Sequence, residues 1–218
     1  MNLNLQAAKN YRKKHKYSGY LLRNNPVLTM GLALPFAVVA TTSMKNGVSM
    51  ALEMMMIHLP TMLLALLIKK NLPMPRWLRI LANVMISTVF MVLARAVIVR
   101  LFQDIPNSMG AYLYLLSINS MTLLQADTMD RKTPVEAALA ASFASAMGFA
   151  LVVCSLSFFR EVAGNGTIWG VAVPWGFKLR GLLTPFSGFI LVGVMVAFFR
   201  SLNRRVLGLL LLTNRNRI

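Results

Sequence analysis

Acidic side chains are scarce, six Asp and Glu in 218 residues against 23 Lys and Arg. Cysteine is scarcer. Cys154 stands alone, so no disulfide can close within the chain and no cysteine-based metal site can be completed from it unaided. Histidine is limited to His15 and His58. These residues give no nucleophile triad, no carboxylate pair at fixed spacing and no phosphate loop, so no catalytic constellation supports a soluble-type enzyme. Long polar stretches are also missing, which leaves no room for a separate soluble domain.

What the chain has is hydrocarbon. With 57% hydrophobic residues, 13% charged and a mean hydropathy of +0.62, it reads as an all-α integral membrane protein. Apolar runs long enough to cross about 30 Å of bilayer fall at 27–43, 48–68, 77–99, 110–126, 134–159 and 181–199. The domain reading follows: a basic interfacial arm over 1–24, a six-helix transmembrane domain over 25–200 and a basic tail over 201–218. The first run follows a basic arm as a signal peptide does, but it is long and lacks a small-residue cleavage pattern, so it is read as a retained span.

The net charge of +17 does not imply nucleic acid, because the cations lie between the apolar runs. Seventeen of the 23 fall in the arm, the second and fourth connections and the tail, including Lys9, Lys69, Arg76, Arg131 and Arg204. That bias places both termini in the cytoplasm, as for a multi-pass protein of the inner membrane. Segment 206–212 is too short for another crossing and is expected along the inner surface.

Polar residues inside the apolar runs mark candidate sites, since each needs a partner or a cavity in hydrocarbon. In the first run, Asn25-Pro26 starts a helix and Pro35 predicts a kink near the midplane. In the fourth, Ser117, Asn119 and Ser120 interrupt the hydrocarbon near its centre. Glu53 lies about one turn inside the second run. It reads either as an ion- or proton-binding group, or as a carboxylate near the outer interface that reaches water or pairs with Lys45. Met54, Met55, Met56 and His58 have the softness for Cu(I) but also suit ordinary helix packing. Trp77, Arg79, Arg95 and Arg100 read as interfacial anchors with snorkelling cations.

After the fourth run, Asp127 to Glu136 forms a charged turn, with Thr133 expected to cap the fifth helix, Pro134 at its first position and Glu136 completing the capping box. The fifth helix is rich in Ala, Ser and Gly and is expected to pack closely. The connection after it carries Gly164-Asn165-Gly166, Trp169, Pro174 and Trp175 and is expected to fold back on the outer interface. The outer connection before the fourth run is short and turn-like, with Asp104, Pro106 and Asn107.

Three runs per half make the second half inverted relative to the first, giving two inverted three-helix repeats over about 25–105 and 110–200. Working groups of such repeats lie at the midplane on interrupted helices. Pro35, Asn119 and Ser120 stand there.

Asn25-Pro26, Gly31-Leu32 followed by Pro35, Ala37 and Val38, then Asn119, and above all Phe158-Phe159-Arg160-Glu161 with Gly164 and Gly166, resemble the paired membrane subunits of the Rnf and Nqr ion-translocating electron-transport complexes. The last motif is similar to the RnfE and NqrD branch. The resemblance implies a homologous partner subunit of opposite orientation, further complex subunits, and an iron–sulfur cluster held by one cysteine from span one and one from span four of each subunit. Those positions fall here on Ala33 or Leu34 and on Ser120. Neither an aliphatic side chain nor a serine hydroxyl replaces a thiolate there, so a [2Fe-2S] cluster is not expected, and no cofactor or metal is assigned to this chain alone. Three functions remain open: a complex subunit serving as ion path or scaffold, a solute or cation transporter with its site near Asn119, Ser120, Ser117, Pro35 and Glu53, or a structural membrane partner.

Overall fold

The computed structural model describes residues 25–102, 110–174 and 178–215. The basic arm over 1–24, the connection with Asp104, Pro106 and Asn107, and Trp175 lie outside the described residues.

Two short helices come first: α1 (Pro26–Met30) and α2 (Leu34–Val39). Two long ones follow, α3 (Met44–Asn71) and α4 (Arg76–Leu101). The pattern then recurs. A broken element contains α5 (Ala111–Leu115), a 3-10 turn over Leu116–Ile118 and α6 (Ser120–Thr128). The long α7 (Val135–Arg160) runs into a π-turn over Glu161–Asn165. A hairpin of β1 (Thr167–Ile168) and β2 (Val171–Ala172) and a 3-10 turn over Arg180–Leu183 lead to α8 (Pro185–Arg215).

Among the described residues, four segments are long and apolar enough to cross a membrane: Met44–Asn71, Arg76–Leu101, Val135–Asn165 and Pro185–Leu202. The apolar runs over 27–43 and 110–126, expected as single spans, are each broken in two. Asn25 donates its side-chain amide to the Gly148 carbonyl at 2.8 Å, and Gly148 sits midway along α7. The first helix therefore starts at half height beside α7.

The break in the first run is not made by Pro35. Gly31 ends α1 in the left-handed region at φ 66°, where glycine escapes the Cβ penalty, and Ala33 repeats that conformation at φ 56°. Pro35 occupies the first turn of α2, where its missing N–H costs nothing. The chain turns before it.

One further expectation is corrected. Pro134, not Thr133, takes the N-cap position of α7, and no side chain caps that end; the Thr133 N–H is held by the Asp130 carbonyl at 3.1 Å. Segment 206–212 continues α8, which runs to Arg215. The fold-back after α7 is a β-hairpin. Trp169 and Gly170 both have positive φ at its turn, as a two-residue turn matching strand twist requires.

The core lies where α3 meets α7. Met50, Met54, Ile57, Phe149, Val152, Val153 and Leu156 are buried there, with Ala37 and Val38 of α2 against them. Close approach depends on Gly47, since a Cβ at that position would stand 2.1 Å from Ser157 Oγ.

Candidate functional site

The two interrupted elements meet. The backbone N–H of Ala33, in the first break, donates to Ser120 Oγ, at the start of α6, over 3.0 Å. Asparagine side chains hold the start of α1 and the second break. Asn25 Oδ1 accepts from the N–H groups of Val27 and Leu28, and Asn119 Oδ1 accepts from Thr122 N–H at 2.8 Å. Asn119 also donates to the Leu116 carbonyl at 2.5 Å, and Ser117 Oγ donates to the Tyr114 carbonyl at 3.0 Å. Asparagine caps a helix start because its oxygen satisfies N–H groups that lack an intrahelical partner.

The structure thus brings Ala33, Ser117, Asn119 and Ser120 to one joint, in which Ala33, Ser117 and Asn119 are buried and Ser120 is exposed, with Pro35 just beyond it. At the positions where the resemblance places thiolates, the joint offers the Ser120 hydroxyl, already accepting a hydrogen bond, a methyl group from Ala33 and an isobutyl group from Leu34. Iron–sulfur clusters are held by thiolates, with imidazole in some, and this donor set does not fit one. Cys154 is a free thiol on α7. Among the described residues, no group of three or more His, Cys, Asp or Glu side chains is placed to hold a metal ion.

Arg160-Glu161 forms a second buried centre at the hairpin end of the bundle. The Arg160 guanidinium is fully enclosed and finds five acceptors. Nε donates to Leu182 O at 2.9 Å, Nη1 to Val38 O and to Thr41 Oγ1 at 2.9 Å, and Nη2 to Leu183 O at 2.8 Å and Thr184 O at 3.1 Å. A planar fork with five N–H groups is matched in full. It ties the end of α2 to the start of α8. Glu161 complements it: Oε2 accepts from Met44 N–H, the first residue of α3, at 2.5 Å, and Oε1 accepts from Thr167 Oγ1 and Gly170 N–H. A carboxylate at a helix start is favoured by the dipole. Gly164 packs on Leu183 with no space for a Cβ, Gly166 ends the π-turn at φ 67°, and Phe158 and Phe159 face outward.

Glu53 stands apart from both centres. It lies nine residues into α3, about 14 Å along the axis at 1.5 Å per residue, and is wholly buried. It is therefore deeper than the one turn expected, and it does not pair with Lys45, whose side chain lies near the hairpin turn at Gly170. Neither carboxylate oxygen has a hydrogen-bond partner among the described residues. The charge acting on it is Arg95 of α4. The Arg95 guanidinium stacks over the Tyr114 ring at 5.2 Å and its Nη1 is buried. Met54, Met55 and Met56 point around α3, from buried to exposed, and His58 Nδ1 is joined to Thr122 Oγ1 at 2.9 Å. The thioethers do not converge on the imidazole.

A family model described as Rnf-Nqr subunit, membrane protein, matches residues 15–202. The chain belongs to the Rnf-Nqr subunit family. It is similar to a subunit of the Na(+)-translocating NADH-quinone reductase of Shewanella denitrificans, 23% identical over 195 residues that cover 86% of this chain and 92% of the relative. The corresponding protein of Shewanella woodyi is 22% identical over the same coverage.

The Arg160-Glu161 pair is legible in the sequence and its acceptors are not. Thr41 is visible only as part of a Thr pair. Leu182, Leu183, Thr184 and Val38 act through backbone carbonyls, which carry no sequence signal.

Proposed function

We propose that this Rnf-Nqr subunit works inside an ion-translocating electron-transport complex, beside a homologous membrane subunit of opposite orientation, and ligates no iron–sulfur cluster itself. The observation that carries this reading is the Ala33 to Ser120 hydrogen bond. It joins the two helix breaks, yet a serine hydroxyl and an alkyl group stand where the family resemblance places thiolates.

Six crossings in two inverted halves, with both termini on the cytoplasmic side of the inner membrane, complete the proposal. The element order supports it: a broken helix followed by two long helices occurs twice, and the first long helix of each set, α3 or α7, packs on the other. The distribution of Lys and Arg supports the orientation. Only 22% of the most apolar window of α4 and 11% of that of α8 are buried, leaving faces for lipid and companion subunits. The relatives are named as parts of a Na(+)-translocating reductase, which supports ion translocation by the assembly.

The chain's part is to hold and shape the ion path, with Asn119, Ser120, Ser117 and Pro35 forming the joint. A transporter reading, in which the chain alone moves a solute or cation, draws on the buried Glu53. The two are separated by purifying the tagged chain in mild detergent and by assaying it alone in liposomes. Companion membrane and redox subunits are expected from the first; uptake by the isolated chain, without companions, would select the second.

A further inference from the structure

Along the seam of α3 and α4, buried polar atoms without hydrogen-bond partners accumulate. They are both oxygens of Glu53, Nη1 of Arg95, Oγ of Ser87 and Oδ1 of Asn83, with His58 Nε2 on the same helix as Glu53. The two helices are antiparallel about the turn at 72–75, which sets Glu53 level with Arg95 and Ser87 level with Thr61. His58 is five residues, about 7.5 Å, further along α3. Its other nitrogen reaches Thr122 of α6, and Gln125 of α6 hydrogen-bonds Ser145 of α7 at 2.9 Å. A row of polar groups therefore runs from Glu53 through the interior toward the 72–75 end.

An orphaned carboxylate in a membrane interior is costly, and such residues mark ion and proton paths. The chemistry around Glu53 narrows the ligand. A sodium ion needs several oxygen donors at one level, but Ser87 and Asn83 are about two and three turns away from Arg95, and Arg95 repels a metal cation. Water and a proton suit an acid facing a guanidinium. We propose that Glu53 is a proton-accepting site on a hydrated polar seam between α3 and α4, opening toward His58. This rests on the ion-translocating reading above. Loading forms an O–H bond on a Glu53 oxygen and breaks one on the donating hydronium, with no change in electron count.

Other groups that face Glu53's helix do not compete. Arg160 has all five N–H groups engaged, Lys45 lies at the hairpin turn, and α7 contributes the Cys154 thiol and the Ser157 hydroxyl. From the broken element, Tyr114 lies under Arg95. α6 presents Thr122 and Gln125, which carry no charge.

The test is infrared difference spectroscopy during a pH titration of the complex, purified with its companions in lipid nanodiscs, for wild type, Glu53→Gln and Arg95→Gln. The expected result is a protonated-carboxyl band that grows as pH falls, shifts on exchange into deuterium oxide and is absent in Glu53→Gln. Arg95→Gln should move its midpoint upward by about one pH unit or more, because the opposite charge no longer favours the ionised acid. Glu53 ionised across the titration in both wild type and Arg95→Gln would overturn the proposal. Loss of companions with the band retained would instead fail the complex reading and leave the proton site standing.

Discussion

Ala33 and Ser120, 87 residues apart, are joined by a hydrogen bond of 3.0 Å from the backbone N–H of one to the hydroxyl of the other. It links the two helix breaks directly. Ser120→Ala should leave a buried N–H without its acceptor and cost about 1–3 kcal/mol. Ser120→Cys, whose sulfur is a weak acceptor, should lose less. Thermal unfolding of the two purified variants in one detergent measures the order.

Ala33 holds a left-handed backbone at φ 56°, which costs a residue with a Cβ about 1–2 kcal/mol. Ala33→Gly removes that strain, offset by roughly 0.5–1 kcal/mol of extra freedom in the unfolded chain. The variant should unfold at the same temperature as wild type or slightly above it. Ala33→Val should unfold well below.

Arg160→Lys keeps the charge and has three N–H groups where the fork has five. Two charged hydrogen bonds are lost, each worth about 1.5–3 kcal/mol. If the ammonium keeps Val38 and Thr41, two of the three carbonyls of Leu182, Leu183 and Thr184 are left without donors, so amide exchange should quicken at the start of α8 before it quickens in α3.

Gly47→Ala should drive α3 from α7. The new methyl would meet Ser157 Oγ at 2.1 Å and Ser157 Cβ at 2.7 Å. Overpacking of this kind costs about 1–3 kcal/mol. Gly47→Ala combined with Ser157→Gly should recover most of the loss, and that recovery identifies the contact as the cause.

The four long helices are legible because each is a long hydrocarbon run, and length against bilayer thickness is a strong signal. The breaks are legible in part. Ser117, Asn119 and Ser120 announce the second one, but in the first the residue that stands out is Pro35, and proline acts as a breaker only inside a helix. At a helix start it is harmless, and Gly31 does the breaking. Thr133 fails as a cap for a similar reason: Pro134 already holds the cap position. The partners of Arg160 and Glu161 are hidden because a backbone carbonyl looks the same in every residue. Glu53 shows itself as an acid in hydrocarbon, yet its depth depends on where α3 starts, and Ser43, which caps that helix by accepting from Asn46 N–H, lies in the apolar run that precedes it.

The most direct measurement is iron and acid-labile sulfide content, with electron paramagnetic resonance, on the pair formed by this chain and its homologous membrane partner after gentle purification. The account predicts that the partner is present and that iron and sulfide are absent from the pair. Iron and sulfide in equal proportion to the pair, with a cluster signal that changes in Ser120→Ala, would contradict it.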